Sequence, residues 1–128
     1  MTGFVKHDVI HLYQAASDIL LMPYSSSISA SSGQDIAEVI NPMKMFEYMA
    51  SGRAIVSADL PSIREVLNEG NCVFVETGNW ELVIGNWKAE IEKLLADESL
   101  RVKLGSQARK DVESFSWVKR EEKILERL

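Results

Sequence analysis

Asn41-Pro42-Met43-Lys44-Met45-Phe46-Glu47-Tyr48-Met49-Ala50-Ser51-Gly52 reads as a helix with its own start, stop and polar stripe. Asn41 is a good N-cap residue, and Pro42 suits the first helical position. Gly52 accepts the left-handed conformation that ends a helix. On a helical wheel Lys44, Glu47, Tyr48 and Ser51 share one narrow face, and Met43, Met45, Phe46, Met49 and Ala50 fill the rest. So apolar a helix is expected to be mostly buried. Its polar face then holds a base and an acid near a helix N-terminus, where unpaired N–H groups attract anions. The plainer alternative is a surface helix with an ordinary Lys44–Glu47 pair, worth about a few tenths of a kcal/mol.

Upstream, Asp8 is placed to cap a helix in which Val9, Leu12, Tyr13 and Ala16 share one face. Asp18 leads into Ile19-Leu20-Leu21-Met22, a continuous apolar run stopped by Pro23, which suits a strand buried on both faces. Residues 24–37 are serine-rich and read as a loop, expected to be disordered when free and ordered by a ligand. Downstream come Ala54-Ile55-Val56-Ser57, a short helix opened by Pro61 with Ile63, Val66 and Leu67 inward and Gly70 closing it, and the strand Cys72-Val73-Phe74-Val75. Strand, loop, helix, strand, helix, strand is the signature of parallel βαβ units.

Trp80-Glu81-Leu82-Val83-Ile84 is compatible with either an extra strand or a helix start. Two helical stripes follow, Trp87, Ile91, Leu94 and Leu95, then Leu100, Leu104, Ala108, Val112 and Phe115. Ser116 caps a last helix with Trp117, Ile124, Leu125 and Leu128 on one side.

The 128 residues make one domain with room for a core, and 46% hydrophobic and 26% charged residues are ordinary for a globular protein. A net charge of −5 without a basic stripe argues against nucleic acid as a partner. The single cysteine, Cys72, cannot form an internal disulfide and fits a reducing, cytoplasmic location. No apolar run reaches the length of a transmembrane helix. His7 and His11 lie four apart without a third ligand at metal spacing, so no metal is expected.

In open parallel sheets ligands bind outside the carboxyl ends of the strands. The serine-rich loop, the start of the 41–52 helix and the turn at Ser57 and Asp59 all belong to that edge. A lysine suits a phosphate, and a carboxylate accepts from a pair of sugar hydroxyls, so the combination suggests a nucleoside diphosphate. No glycine-rich phosphate loop is present, which disfavours an ATPase or a dehydrogenase. Asp18 and Asp59 are too few acids for a response-regulator-like signalling domain.

Residues 41–67, Asn-Pro-Met-Lys-Met-Phe-Glu-Tyr-Met-Ala-Ser-Gly-Arg-Ala-Ile-Val-Ser-Ala-Asp-Leu-Pro-Ser-Ile-Arg-Glu-Val-Leu, resemble the donor-site segment of group 1 glycosyltransferases, family 4, of the GT-B fold. Thr2-Gly3-Phe4-Val5 and Ala16-Ser17-Asp18-Ile19-Leu20-Leu21-Met22-Pro23-Tyr24 match the preceding pieces in order. Leu95-Ala96-Asp97-Glu98-Ser99-Leu100-Arg101 and Phe115-Ser116-Trp117 are similar to the closing helices.

The resemblance implies an α/β fold: a partial Rossmann-like parallel sheet, as in a GT-B C-terminal domain, flanked by helices with extra C-terminal ones. It implies a retaining transferase that moves a hexose from a nucleotide-diphosphate sugar to an acceptor such as a polysaccharide or lipid-linked glycan, without a metal or other cofactor. By the same resemblance Glu47 holds the ribose hydroxyls. Lys44, with the backbone of Asn41, Pro42, Met43 and Lys44, faces the diphosphate, and the turn at residues 4–6, with Val5 and Lys6, meets the base. The family's earlier glutamate, on the donor sugar, is separated from its partner by seven residues. Here that position is Val39, and the nearest acid is Glu38. Either Glu38 takes the role or backbone groups of residues 40–43 do. Ser57 and Asp59 are second-rank candidates.

The resemblance further implies that the family's first strand–helix units and its acceptor domain are absent, leaving a strand tail near residues 1–5. A three-stranded sheet is then expected, with residues 54–57 between 19–22 and 72–75. Its open edge at 19–22 is expected to self-associate, and the chain alone is expected to transfer no sugar. The alternative is a non-catalytic nucleotide-binding or interaction fragment that needs a partner chain.

Overall fold

The computed structural model describes residues 3–25 and 42–126. They run α1 (His7–Ala16), β1 (Ile19–Met22), α2 (Met43–Ser51), β2 (Ala54–Ala58), α3 (Pro61–Arg64), β3 (Val73–Val75), α4 (Trp80–Ala96) and α5 (Glu98–Val112). A 3-10 turn (Glu113–Phe115) and α6 (Trp117–Leu125) follow. Most of the serine-rich stretch, with Glu38, Val39 and Asn41, lies outside the described residues, as do Met1, Thr2 and Leu128. Residues 3–5 form no strand.

The strands pair in parallel in the order β1-β2-β3, which is the order expected from the sequence. Central β2 is buried at all five positions. Its Ile55 joins Met22, Met45, Met49, Ile63 and Leu67 in the larger core cluster. Ala54 and Val56 point to the opposite face and pack with Val75, Leu94 and Leu104. Edge strand β1 departs from the expected burial on both faces. Leu20 and Met22 are buried, but Leu21 is 39% exposed at the edge of the sheet.

Residues 80–84 are the start of α4, not a strand. Asn79 caps it by accepting from the Glu81 N–H at 3.0 Å. Ser116 likewise caps α6, accepting from the Lys119 N–H at 3.3 Å. Of the stripes expected on α4 and α5, Leu94, Leu104 and Ala108 are buried, whereas Leu95 is turned outward. No residue of α6 is buried.

Helix α5 closes the sheet at the amino ends of its strands. There Gly105 meets the turn between α2 and β2, so closely that an added Cβ would lie 2.2 Å from the Gly52 carbonyl oxygen and 3.0 Å from the Arg53 carbonyl carbon. Gly52 has φ 70°, the left-handed conformation expected of it. Gly105→Ala should therefore cost about 3 kcal/mol by forcing backbone apart. Gly85, inside α4 with open space around it, is the control. Gly85→Ala should gain about 0.5–1 kcal/mol from helix propensity. Urea melts of the three proteins check both signs.

Among the described residues β1 pairs only with β2, and its outer edge carries no charge. Such an edge is a template for another strand. Sedimentation velocity over a wide concentration range should show self-association that Leu21→Lys weakens. A protein that stays monomeric at the highest concentration would refute it.

Candidate functional site

Helix α2 is built by the punctuation expected, one residue later than expected. Pro42 keeps an extended ψ of 122° and is the N-cap, its carbonyl accepting from the Met45 N–H at 2.9 Å. Only Met45 and Met49 are buried in the helix. The mostly buried helix expected from composition is instead half-buried, because α2 has the core on one side alone. Its remaining surface divides in two. Met43 and Phe46 line one groove with Phe115 and Trp117, of about 620 Å³. Glu47, Ala50 and Ser51 line another against α1, of about 530 Å³.

Helix α1 turns the opposite way from its apolar spacing. Leu12 and Tyr13 are 57% and 49% exposed, whereas Gln14 is its buried residue. The side toward α2 is mixed: His7, His11 and Gln14 align at i, i+4 and i+7, and half-buried Ile10 and exposed Ala15 line the same cleft. Lys6, not Asp8, is the N-cap, and Asp8 lies in the first turn, where it favours the helix dipole. From α5, Arg109 completes the cleft.

Glu47 is exposed in this cleft, and its Oε2 accepts from Gln14 Nε2 at 3.4 Å. Ser51 is committed to the end of α2: its hydroxyl donates to the Tyr48 carbonyl at 2.6 Å and accepts from the Arg53 N–H at 3.3 Å. Tyr48 is half-buried, and burial raises its phenol above the ordinary value. Lys44 is exposed, and no ion pair joins it to Glu47 among the described residues.

The structure thus brings Glu47 to α1, whose first residue follows directly on half-buried Val5 and exposed Lys6. It directs the Met43 side chain to the other groove, and Pro42 is buried. Gln14 and Arg109 enter the cleft without any sequence signal that singles them out. No group of three His, Cys, Asp or Glu side chains suited to a metal occurs among the described residues. Cys72 is buried, which pushes its thiol up to about 12 and leaves it unreactive.

Ser57 and Asp59 stand at the end of β2, but both are held by the frame. Ser57 is fully buried and donates to the Ala58 carbonyl at 3.0 Å. Asp59 receives a two-pronged contact from Arg64, Nε at 2.5 Å and Nη2 at 2.9 Å. Arg64 also donates to Glu69 at 2.6 Å and lies 4.2 Å from the Phe74 ring centroid. Its hydrogen bonds hold the Asp59 carboxyl below the ordinary value, against the opposing effect of partial burial. A depressed folded-state pKa stabilises the fold at neutral pH, and that contribution is lost as pH falls through it. Asp59→Asn should flatten the acid limb of stability against pH, read from urea midpoints taken from neutral pH downward.

Comparison with curated proteins gives no match. The family described as glycosyl transferases group 1 matches residues 1–111, which include the sheet, α1, α2 and the cleft between them. The parallel sheet with its flanking helices is the partial Rossmann-like arrangement of a GT-B C-terminal domain. The chain belongs to the group 1 glycosyltransferases.

Proposed function

We propose that this chain is the donor-binding part of a retaining, family-4-like enzyme that moves a hexose from a nucleotide-diphosphate sugar to a glycan or lipid-linked acceptor. The observation that carries the proposal is the placement of Glu47. Its carboxylate opens into the cleft against α1, a helix that begins directly after the turn of residues 4–6. In this reading the carboxylate accepts from the ribose hydroxyls and the turn lies against the base. Lys44, exposed one helical turn nearer the start of α2, neutralises the diphosphate together with the amides of Met43 and Lys44. Electrostatic and hydrogen-bond complementarity of this kind needs no metal. The donor-sugar contact falls to Glu38 or to residues 40–43, mostly outside the described residues.

A second reading, a binding fragment completed by a partner chain, is favoured by the exposed Leu12 and Tyr13 and by an edge of β1 that no strand covers among the described residues. The two readings share the nucleotide site and differ in turnover.

Glu47→Gln keeps the shape and removes the charge. It should weaken nucleoside diphosphate binding by about 1.5–3 kcal/mol, the range for hydrogen bonds to a charged group, and leave the melting curve intact. Titration calorimetry with uridine, adenosine and guanosine diphosphates on both proteins measures this. Equal affinities would take Glu47 out of the site.

A further inference from the structure

Gln14 is a buried polar side chain on a helix whose larger apolar side chains are exposed. An apolar residue at this position would bury more cheaply, since a buried amide loses its water. The sequence instead supplies two large apolar side chains one and two residues earlier, Tyr13 and Leu12, and the fold leaves both exposed. The residue of α1 that is buried is a glutamine, and its amide nitrogen meets Glu47 Oε2. At 3.4 Å the contact is long for a hydrogen bond, as contacts at ligand sites commonly are before the ligand closes them.

From this geometry we infer that Gln14 is a positioning residue for Glu47: it fixes the rotation of the carboxylate so that its remaining lone pairs meet two adjacent hydroxyls of the ligand. The inference rests on the proposed nucleotide-sugar reading of the cleft and adds the basis of its selectivity for ribose.

The torsion that rotates a glutamate carboxylate is broad and roughly twofold, so a free Glu47 would sample many planes. A carboxylate has about four acceptor sites. One amide donor on Oε2 leaves capacity on both oxygens, and it selects the plane in which they face the cleft. Gln14 is suited to this because it reaches Glu47 from α1, on the side of α2 opposite the core residues Met45 and Met49. A deoxyribose offers a single hydroxyl and benefits little from a fixed plane. The signature of positioning is therefore discrimination between sugars, which the docking of α1 alone would not alter.

The test uses uridine, adenosine and guanosine diphosphates and their 2′-deoxy counterparts, titrated calorimetrically into the whole chain. The nucleotide that binds best should prefer its ribo form. Gln14→Met, of similar length and without a donor, should reduce ribo affinity about three- to tenfold and leave deoxy affinity nearly unchanged. Gln14→Lys restores a donor of sufficient reach and should recover most of the preference. Circular dichroism on each variant confirms the fold.

Loss of the preference in Glu47→Gln but not in Gln14→Met overturns the positioning role and leaves the nucleotide reading standing. Absence of any ribo preference in the unsubstituted chain removes that reading, and the inference with it. Equal losses of ribo and deoxy affinity in Gln14→Met would show that Gln14 only docks the helix, which also overturns the inference.

Discussion

The close passage of α5 over the turn between α2 and β2 is the constraint on which the rest of the structure depends. Gly105 has its neighbouring backbone within 3 Å of where a side chain would begin. That contact lets Leu104 and Ala108, on adjacent turns, reach separate core clusters on the two sides of the sheet. The same helix is tied down along its length. Arg101 donates to the carbonyls of Leu94 and Leu95 at 2.6 and 2.8 Å, satisfying the end of α4. Asp111 accepts from the fully buried Asn71 at 2.7 Å and from Gln107 at 2.8 Å, which fixes the approach to β3. Sheet order and helix placement follow from one helix held at three points.

Where the chain marks its own punctuation, the fold was legible. Gly52 ends α2, Pro61 opens α3 and Ser116 caps α6, because each of these residue types satisfies a local backbone need that no tertiary contact changes. The sheet was legible for a similar reason: three short apolar runs separated by helices leave few parallel arrangements. What was not legible depends on what an element faces. Periodicity identified Leu12 and Tyr13 as an apolar stripe but carried no information on which side of α1 the core would lie. The apolar run of β1 matched a central strand, and its alternating exposure follows from its place at the edge. Gly105 reads in sequence only as a weak helix former; its value lies in a long-range approach of two backbones.

The cleft shows the same division. Glu47 stands out in the sequence as the one carboxylate of residues 41–52, whereas Gln14 and Arg109 become neighbours of the cleft only through the placement of α1 and α5 beside α2. The expected single polar stripe on α2 resolves into separate duties. Ser51 ties the helix end, Tyr48 packs at the core margin, Lys44 stays in solvent and Glu47 faces α1. Glu47 is therefore the member of that stripe whose functional group is both open to the cleft and oriented by a neighbour.

These contacts separate the molecule into a frame and a rim. The frame of β2, α2, α5 and the Asn71–Asp111 link, with Met22, Ile63, Leu67, Cys72 and Leu94 packed around it, contains the fully buried side chains. Helix α1 belongs to the rim: it buries one residue, Gln14, which meets Glu47 of α2. A helix attached in that way gains little from apolar burial, so its docking free energy rests on polar contacts that are individually small. Any ligand held between Glu47 and α1 adds contacts to both walls and stabilises the docked helix by mass action. One wall of the cleft stands on the buried residues Met45 and Met49, and the other meets it through the Gln14–Glu47 contact.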